Sequence, residues 1–366
     1  MKISRVRVRM LALVSLVAVS LAASAQPVEV TGTGATFPAK VYVQWAADYA
    51  AQTGAPLSYK PAGSSAGVKA ISDGSVDFGA SDVPLSQVDL DKRRLFQFPT
   101  LVGGIVPFVN LPGIGAGELR LDAATLARIW SGDIARWNDP AIRALNPKLA
   151  LPGLPIQRVV RSDGSGTTTV FVQYLRLAAP AEAQAIVVEG GRASWPGTPI
   201  GADGSGKLVA AVKATPGAIG YASSDYSLRD GVAGVSLRTR RGEFVAPVLP
   251  AFKAAIVAGG LFKNSLKPTS LLDVDGAGVW PIVTATYVLV PREPRSLERA
   301  ARTLNFFYRS FLLGDRAVAG TGFAPLPIAT QARIVGLLSN FRTPAGERIP
   351  VMGAAPRHTA VALAGQ

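Results

Sequence analysis

Three short stretches of this sequence are built from residue types that hold anions. They are Thr31-Gly32-Thr33-Gly34-Ala35-Thr36-Phe37-Pro38, Ala62-Gly63-Ser64-Ser65-Ala66-Gly67 and Arg161-Ser162-Asp163-Gly164-Ser165-Gly166-Thr167. Each follows a run with strand character and opens a helical pattern. The first amides of a helix have no intrahelical acceptor and lie at the positive end of its dipole, so they attract negative charge. Glycine admits close backbone approach, and Ser or Thr adds hydroxyl donors. Taken singly, Ser64 or Thr36 also reads as a plain helix cap. Three such segments, one carrying an arginine, point to convergence on one anion.

Arg161 offers a planar fork of donors that suits tetrahedral oxygens, and Asp163, two residues on, is placed to hold that guanidinium; a surface salt bridge is the alternative for the pair. Asp82 ends the apolar stretch Val76-Asp77-Phe78-Gly79-Ala80-Ser81-Asp82. A carboxylate belongs in an anion site only if the ligand brings a proton. Phosphate near neutral pH does so and sulfate does not, so Asp82 would accept the one and repel the other. A helix-capping aspartate before the polar stretch from Pro84 is the other local reading.

Other chemistries fit less well. The first segment has part of a dinucleotide-binding glycine pattern, but Phe37 stands where the third glycine belongs. No Gly-Lys-Ser or Gly-Lys-Thr occurs, so there is no P-loop. A phosphoester hydrolase needs a nucleophile with a base, or a metal cluster. The chain has no cysteine, its single histidine is His358, and no carboxylate set has metal-ligand spacing. Nothing near Ser165 in sequence would take its proton. We therefore expect neither catalysis, nor a metal, nor a cofactor.

The segments must be positioned by an alternation of strands and helices, which marks an α/β chain. Val28–Thr31 leads into a helix from about Pro38, where Val41, Trp45 and Tyr49 form one apolar face, and Ile156–Arg161 leads into a helix from about Gly166. Near the end, the spacing predicts a helix over Arg295–Phe311, with Leu297, Leu304, Phe307 and Phe311 on one face and Glu298 and Arg302 paired on the other. A further helix is expected over Ile328–Leu338. No internal repeat or long linker stands out.

The N-terminus carries Lys2, Arg5, Arg7 and Arg9, then a 13-residue apolar run from Met10 to Ala22, then Ala23-Ser24-Ala25. This is the layout of a secretory signal peptide, too short to span a bilayer, with cleavage expected after Ala25. The formal charge of +14, less those four basic residues, leaves +10 on the mature chain. Its longest basic cluster, Arg238-Thr239-Arg240-Arg241, reads as a solvated turn. No row of basic residues interleaved with aromatics suggests a nucleic-acid groove. About 340 residues favour two domains over one core. The mature protein is expected to be soluble and monomeric, in a periplasm.

The stretches TGTGATFPAKVY, GSSAGVKAI, VDFGASDVPLS, LFQFPTLVGG, RSDGSGTTTVF, PGAIGY and VWPIVTATYVLV, in that order across about Val28 to Pro350, resemble the periplasmic phosphate-binding protein of the high-affinity phosphate ABC transporter. The resemblance implies a two-lobed periplasmic binding protein fold of type II, with hinge strands and ligand in the cleft. Lobe I would comprise 26–110 with 286–350, lobe II 111–285, and 351–366 would be a mobile tail. It implies that Thr36, the amide of Phe37, Ser64, Ser165, Gly166 and Thr167 donate to phosphate, that Asp82 accepts its proton, and that Arg161, oriented by Asp163, supplies charge. The implied partners are inorganic phosphate and membrane permease subunits. A binding protein for another oxyanion, or the same scaffold turned to secretion or adhesion, is the alternative. Ala66, where the family often has glycine, Pro107 near the expected hinge and the stretch from about Ala222 to Lys267 depart from the pattern.

Overall fold

The computed structural model describes residues 29–262 and 265–351. The expected signal peptide, His358 and nearly all of the expected tail lie outside the described residues. Val351 is described: it is buried, and its carbonyl accepts a hydrogen bond from Asn305 Nδ2 at 2.8 Å. No helix among the described residues is long and apolar enough to cross a membrane.

One curled sheet organises the chain. Its strand order is Leu57–Pro61, Val30–Gly34, Phe78–Ser81, Ile282–Pro291, Leu95–Val109, Ala218–Ser223, Gln157–Arg161, Ile200–Ala202. The strand Leu95–Val109 belongs to two neighbourhoods. Its first ten residues pair antiparallel with Ile282–Pro291, and its last five, Ile105 to Val109, pair antiparallel with Ala218–Ser223. Pro107, which lacks an amide proton, lies in that second part opposite Tyr221. On one side of this crossing Val30–Gly34 runs parallel to its neighbours Leu57–Pro61 and Phe78–Ser81; on the other Gln157–Arg161 runs parallel to both of its neighbours. Parallel neighbours need helical crossovers, which is why helices begin at the ends of these strands.

Each side has its own aromatic packing. Tyr42, Tyr59, Phe78, Phe98, Phe306 and Phe307 pack ring against ring on the first side, and Trp130, Phe171, Trp195 and Tyr221 on the second. Val41, Trp45 and Tyr49 of the helix Ala39–Thr53 are buried, as their spacing predicts. The late helices run Leu297–Leu313 and Ile328–Ser339, with Glu298 and Arg302 paired at 3.0 Å. Leu297 is a correction: it stands in the first turn, 36% exposed, while Leu304, Phe307 and Phe311 are buried. The first strand is Val30–Gly34, later than the Val28–Thr31 run suggested. The basic cluster is a turn with exposed arginines between Ser236–Arg238 and Phe244–Val245, as expected, and two of those arginines also pair: Arg240 with Asp273 at 2.9 Å and Arg241 with Asp275 at 2.8 Å.

Candidate functional site

The strand Val30–Gly34 ends at Gly34, whose φ of +141° suits glycine, and a Cβ there would stand 2.1 Å from the Ala80 carbonyl oxygen. The Gly34 carbonyl in turn accepts from the amides of Ala62 and Gly63. These contacts pull the starts of the helices Ala39–Thr53 and Ser64–Ser72 together at the end of the strand Phe78–Ser81, immediately after which comes Asp82. From the other side of the sheet crossing, Gln157–Arg161 delivers Arg161, and the helix Gly166–Ala178 begins behind Ser165, whose Oγ accepts from the Thr168 amide at 3.1 Å as a cap.

The structure brings every one of the predicted site residues to one place. Thr36, Phe37, Ser64, Asp82, Arg161, Ser165 and Thr167 are all at most 9% exposed, and Gly166 is buried among them. Arg161 Nη1 donates to Thr36 Oγ1 at 3.1 Å, Thr167 Oγ1 donates to Asp82 Oδ2 at 3.3 Å, and the Asp82 amide donates to Ser64 Oγ at 3.2 Å. Around this centre the Ser65 amide donates to the Gly164 carbonyl at 3.1 Å, and Ser65 Oγ to the Gly190 carbonyl at 2.8 Å. The loops from the two sides therefore meet directly, and the centre is shut off from solvent.

Hydrogen bonding leaves several donors at this centre uncommitted. Ser64 Oγ and Ser165 Oγ each accept from an amide, so each hydroxyl still has its own proton to give. The opening amides of the helices at Ser64 and Gly166 lack intrahelical acceptors by position. Arg161 is held along one edge by Asp163, with Nε donating to Oδ1 at 2.5 Å and Nη2 donating to Oδ2, which leaves Nη1 turned to the centre.

The two carboxylates are driven in opposite directions. Burial pushes the Asp82 carboxyl up to about 7, although the hydroxyl of Thr286, the charge of Arg161 and the hydroxyl of Thr167 all pull the other way. Asp163 is also desolvated, but the bonds and charge of Arg161 and the Gly204 amide at 3.0 Å outweigh that and hold it below the usual range. The arrangement can grip an anion with many donors while presenting it with one proton acceptor.

Two groups of residues at this centre escaped the sequence reading. Ser205 Oγ lies 2.8 Å from Thr36 Oγ1 and 3.3 Å from Arg161 Nη1, buried at the start of the helix Gly204–Ala214. A signal existed: Asp203-Gly204-Ser205-Gly206 repeats Asp163-Gly164-Ser165-Gly166 residue for residue, a short repeat that corrects the expectation of none. Thr286, in Ile282–Pro291, donates to Asp82 Oδ1 at 2.7 Å, and Thr284 donates to the Asp82 carbonyl at 3.1 Å. No local pattern marks these two, because both faces of that strand are buried.

Residues 21–310 match the PBP superfamily domain. The phosphate-binding protein PstS of Xylella fastidiosa (strain Temecula1) is 38% identical over 302 residues, 82% of this chain and 82% of that protein. The PstS of Haemophilus influenzae is 37% identical over 304 residues, 83% of this chain and 90% of its own. Among solved structures, the periplasmic phosphate-binding protein PfluDING, bound with phosphate, aligns with a TM-score of 0.68 at 21% identity, covering 89% of this chain and 96% of that one. The phosphate-binding protein of Stenotrophomonas maltophilia aligns at 0.67 and 22%, covering 88% and 100%. These likenesses fix the fold as the two-lobed α/β arrangement of type II periplasmic binding proteins, with Leu95–Val109 as a strand common to both halves.

Proposed function

The chain belongs to the PBP superfamily, beside the PstS phosphate-binding proteins, and from that membership we propose that it is the substrate-binding component of a phosphate ABC importer. It captures inorganic phosphate between its lobes and hands it to membrane permease subunits. The observation that carries the reading is the buried centre where three helix starts and one arginine gather around a single carboxylate, Asp82, that holds protons up to about pH 7.

In this reading the ligand is fully dehydrated. Thr36, the Phe37 amide, and the amide and hydroxyl of Ser64 donate from lobe I, residues 26–110 with 286–350. Arg161, Ser165, Gly166 and Thr167 donate from lobe II, residues 111–285. Asp163 fixes the guanidinium so that little side-chain entropy is lost on binding. Asp82 accepts the proton of monohydrogen phosphate; a fully ionised oxyanion instead meets carboxylate oxygen against anionic oxygen, which is repulsive in a desolvated site. The work is recognition, with no bond made or broken. The protein acts as a monomer in the periplasm after loss of residues 1–25, without nucleic acid.

Isothermal titration of protein freed of carried-over ligand by unfolding and refolding tests this. Tight one-to-one binding of phosphate, with no sulfate signal at about pH 8.5, where the Asp82 carboxyl is ionised, is the expected result. Binding of both would make it a general oxyanion receptor, and binding of neither would make it a scaffold turned to another purpose.

A further inference from the structure

We propose that Thr286 is a positioning residue that assigns the two oxygens of Asp82, holding Oδ1 as an acceptor so that Oδ2 alone meets the proton of the ligand. The inference rests on the phosphate reading above for its consequence, although not for its geometry. Neither residue's contact was legible locally; it arises from how two strands are forced to pair.

The cause begins at Pro99. The register between Leu95–Val109 and Ile282–Pro291 sets Tyr287 opposite Pro99 and Thr286 opposite Leu101, so Thr100 is an extra residue, a bulge. Proline has no amide to continue the ladder, and a bulge is the usual way a strand absorbs it. The bulged Thr100 donates through Oγ1 to the Thr286 carbonyl at 3.1 Å, and its own Oγ1 lies 2.5 Å from Tyr42 Oη. With the Thr100 proton committed to that carbonyl, Tyr42 must be the donor in the second bond. The chain Tyr42, Thr100, Thr286 thus has one consistent direction, and all three residues are at most 2% exposed.

Clamped in this way, Thr286 turns its hydroxyl to Asp82 Oδ1 at 2.7 Å. Asp82 directly follows Ser81, which pairs with Tyr287 on that same strand, so the Thr286 bond lies within one set of paired strands. The other oxygen, Oδ2, meets Thr167 at 3.3 Å, and Thr167 belongs to a helix from the far side of the crossing. One oxygen is therefore bound by a fixed neighbour and the other by a group that arrives with the opposite half. A hydroxyl that donates to a carboxylate favours its ionised form. Thr286 consequently restrains Asp82 from taking its own proton, which would turn it into a donor and let it accept a fully ionised oxyanion.

The remaining groups around Asp82 do not duplicate this. Arg161 faces it from Gln157–Arg161 and also favours the ionised form, but it belongs to the other half and is tied to Asp163. Tyr42 and Tyr59 stand behind it with phenols pushed above their usual range by burial, so both stay neutral.

The test replaces Thr286→Val, which keeps the shape and removes the donor, and Thr286→Ser, which restores it; Thr286→Ala serves if the valine crowds the strand. Carbon-13 titration of the Asp82 carboxyl in ligand-free protein should place its midpoint about one pH unit higher in the Val or Ala variant than in wild type or Ser, the size expected for losing one charge-assisted bond. The onset of sulfate competition against phosphate, followed by calorimetry across pH 6 to 9, should move upward by the same about one unit. An unmoved carboxyl midpoint would overturn the assignment of Oδ1. A moved midpoint with unmoved sulfate competition would overturn the link to selectivity. The titration needs no ligand, so absence of phosphate binding in wild type would sink the functional reading while leaving the Thr286 result intact.

Discussion

Two aspartates flank Arg161, and their carboxyls are pushed in opposite directions. Asp163 lies on a loop, its side chain 17% exposed, with both oxygens on the guanidinium and a further bond from the Gly204 amide. Asp82 is 1% exposed and faces hydroxyls at 2.7 and 3.3 Å, with the arginine acting only through space. Both lose water, yet only Asp163 receives enough in return to be held below the usual carboxylate range. The difference shows that in this centre the number and charge of the donors, more than burial alone, decides which carboxylate positions the cation and which is left able to exchange a proton with the ligand.

The contrast can be broken first through stability. The Asp82 carboxyl sits at about 7 when folded and near 4 when unfolded, so the folded form keeps a proton that the unfolded chain releases. Stability contributed by that proton is present in full below about pH 4 and is lost as pH rises to about 7, a difference on the order of 4 kcal/mol. Asp163, held low, runs the other way: its contribution is present above about pH 4 and is lost in stronger acid. Thermal melts of ligand-free protein should therefore show Asp82→Asn gaining on wild type as pH rises from 4 to 7; parallel curves would refute the raised carboxyl.

Next in size is Arg161→Ala, which strips the cation from both aspartates. Loss of one partner from a buried charged contact costs about 3 kcal/mol or more, so phosphate affinity by calorimetry should fall by on the order of a hundredfold or more. Asp163→Asn keeps a donor and acceptor beside the guanidinium but removes the charge, and a fall of about tenfold is expected. Thr167→Val removes one hydroxyl from the Asp82 side; about fivefold is expected, because the helix-start amide remains.

How much of this could be read from the chain depends on how local each feature is. The helix starts at Thr36, Ser64 and Ser165 announce themselves because glycine, hydroxyl and helix pattern sit within a few residues. Ser205 was equally local, but its motif is a four-residue echo of Asp163 to Gly166, below the scale at which repeats are sought. Thr286 was not legible at all. Its role depends on which strand pairs with Phe78–Ser81 and on the bulge opposite Pro99, both of which are long-range matters of register. The α/β class followed from alternation and the two lobes from the family resemblance, whereas the identity of the strand shared by both halves follows only from pairing. Leu297 fails its helical face because the first turn lies at the surface, where periodicity carries no packing.

The central claim is that Asp82 serves as a proton acceptor that sorts anions by whether they carry a proton. The most direct test compares phosphate and sulfate affinities of wild type and Asp82→Asn by calorimetry at one pH near 7.5. Asparagine can donate where the carboxylate could only accept, so the preference for phosphate should narrow by about tenfold or more; a ratio unchanged from wild type would contradict the claim.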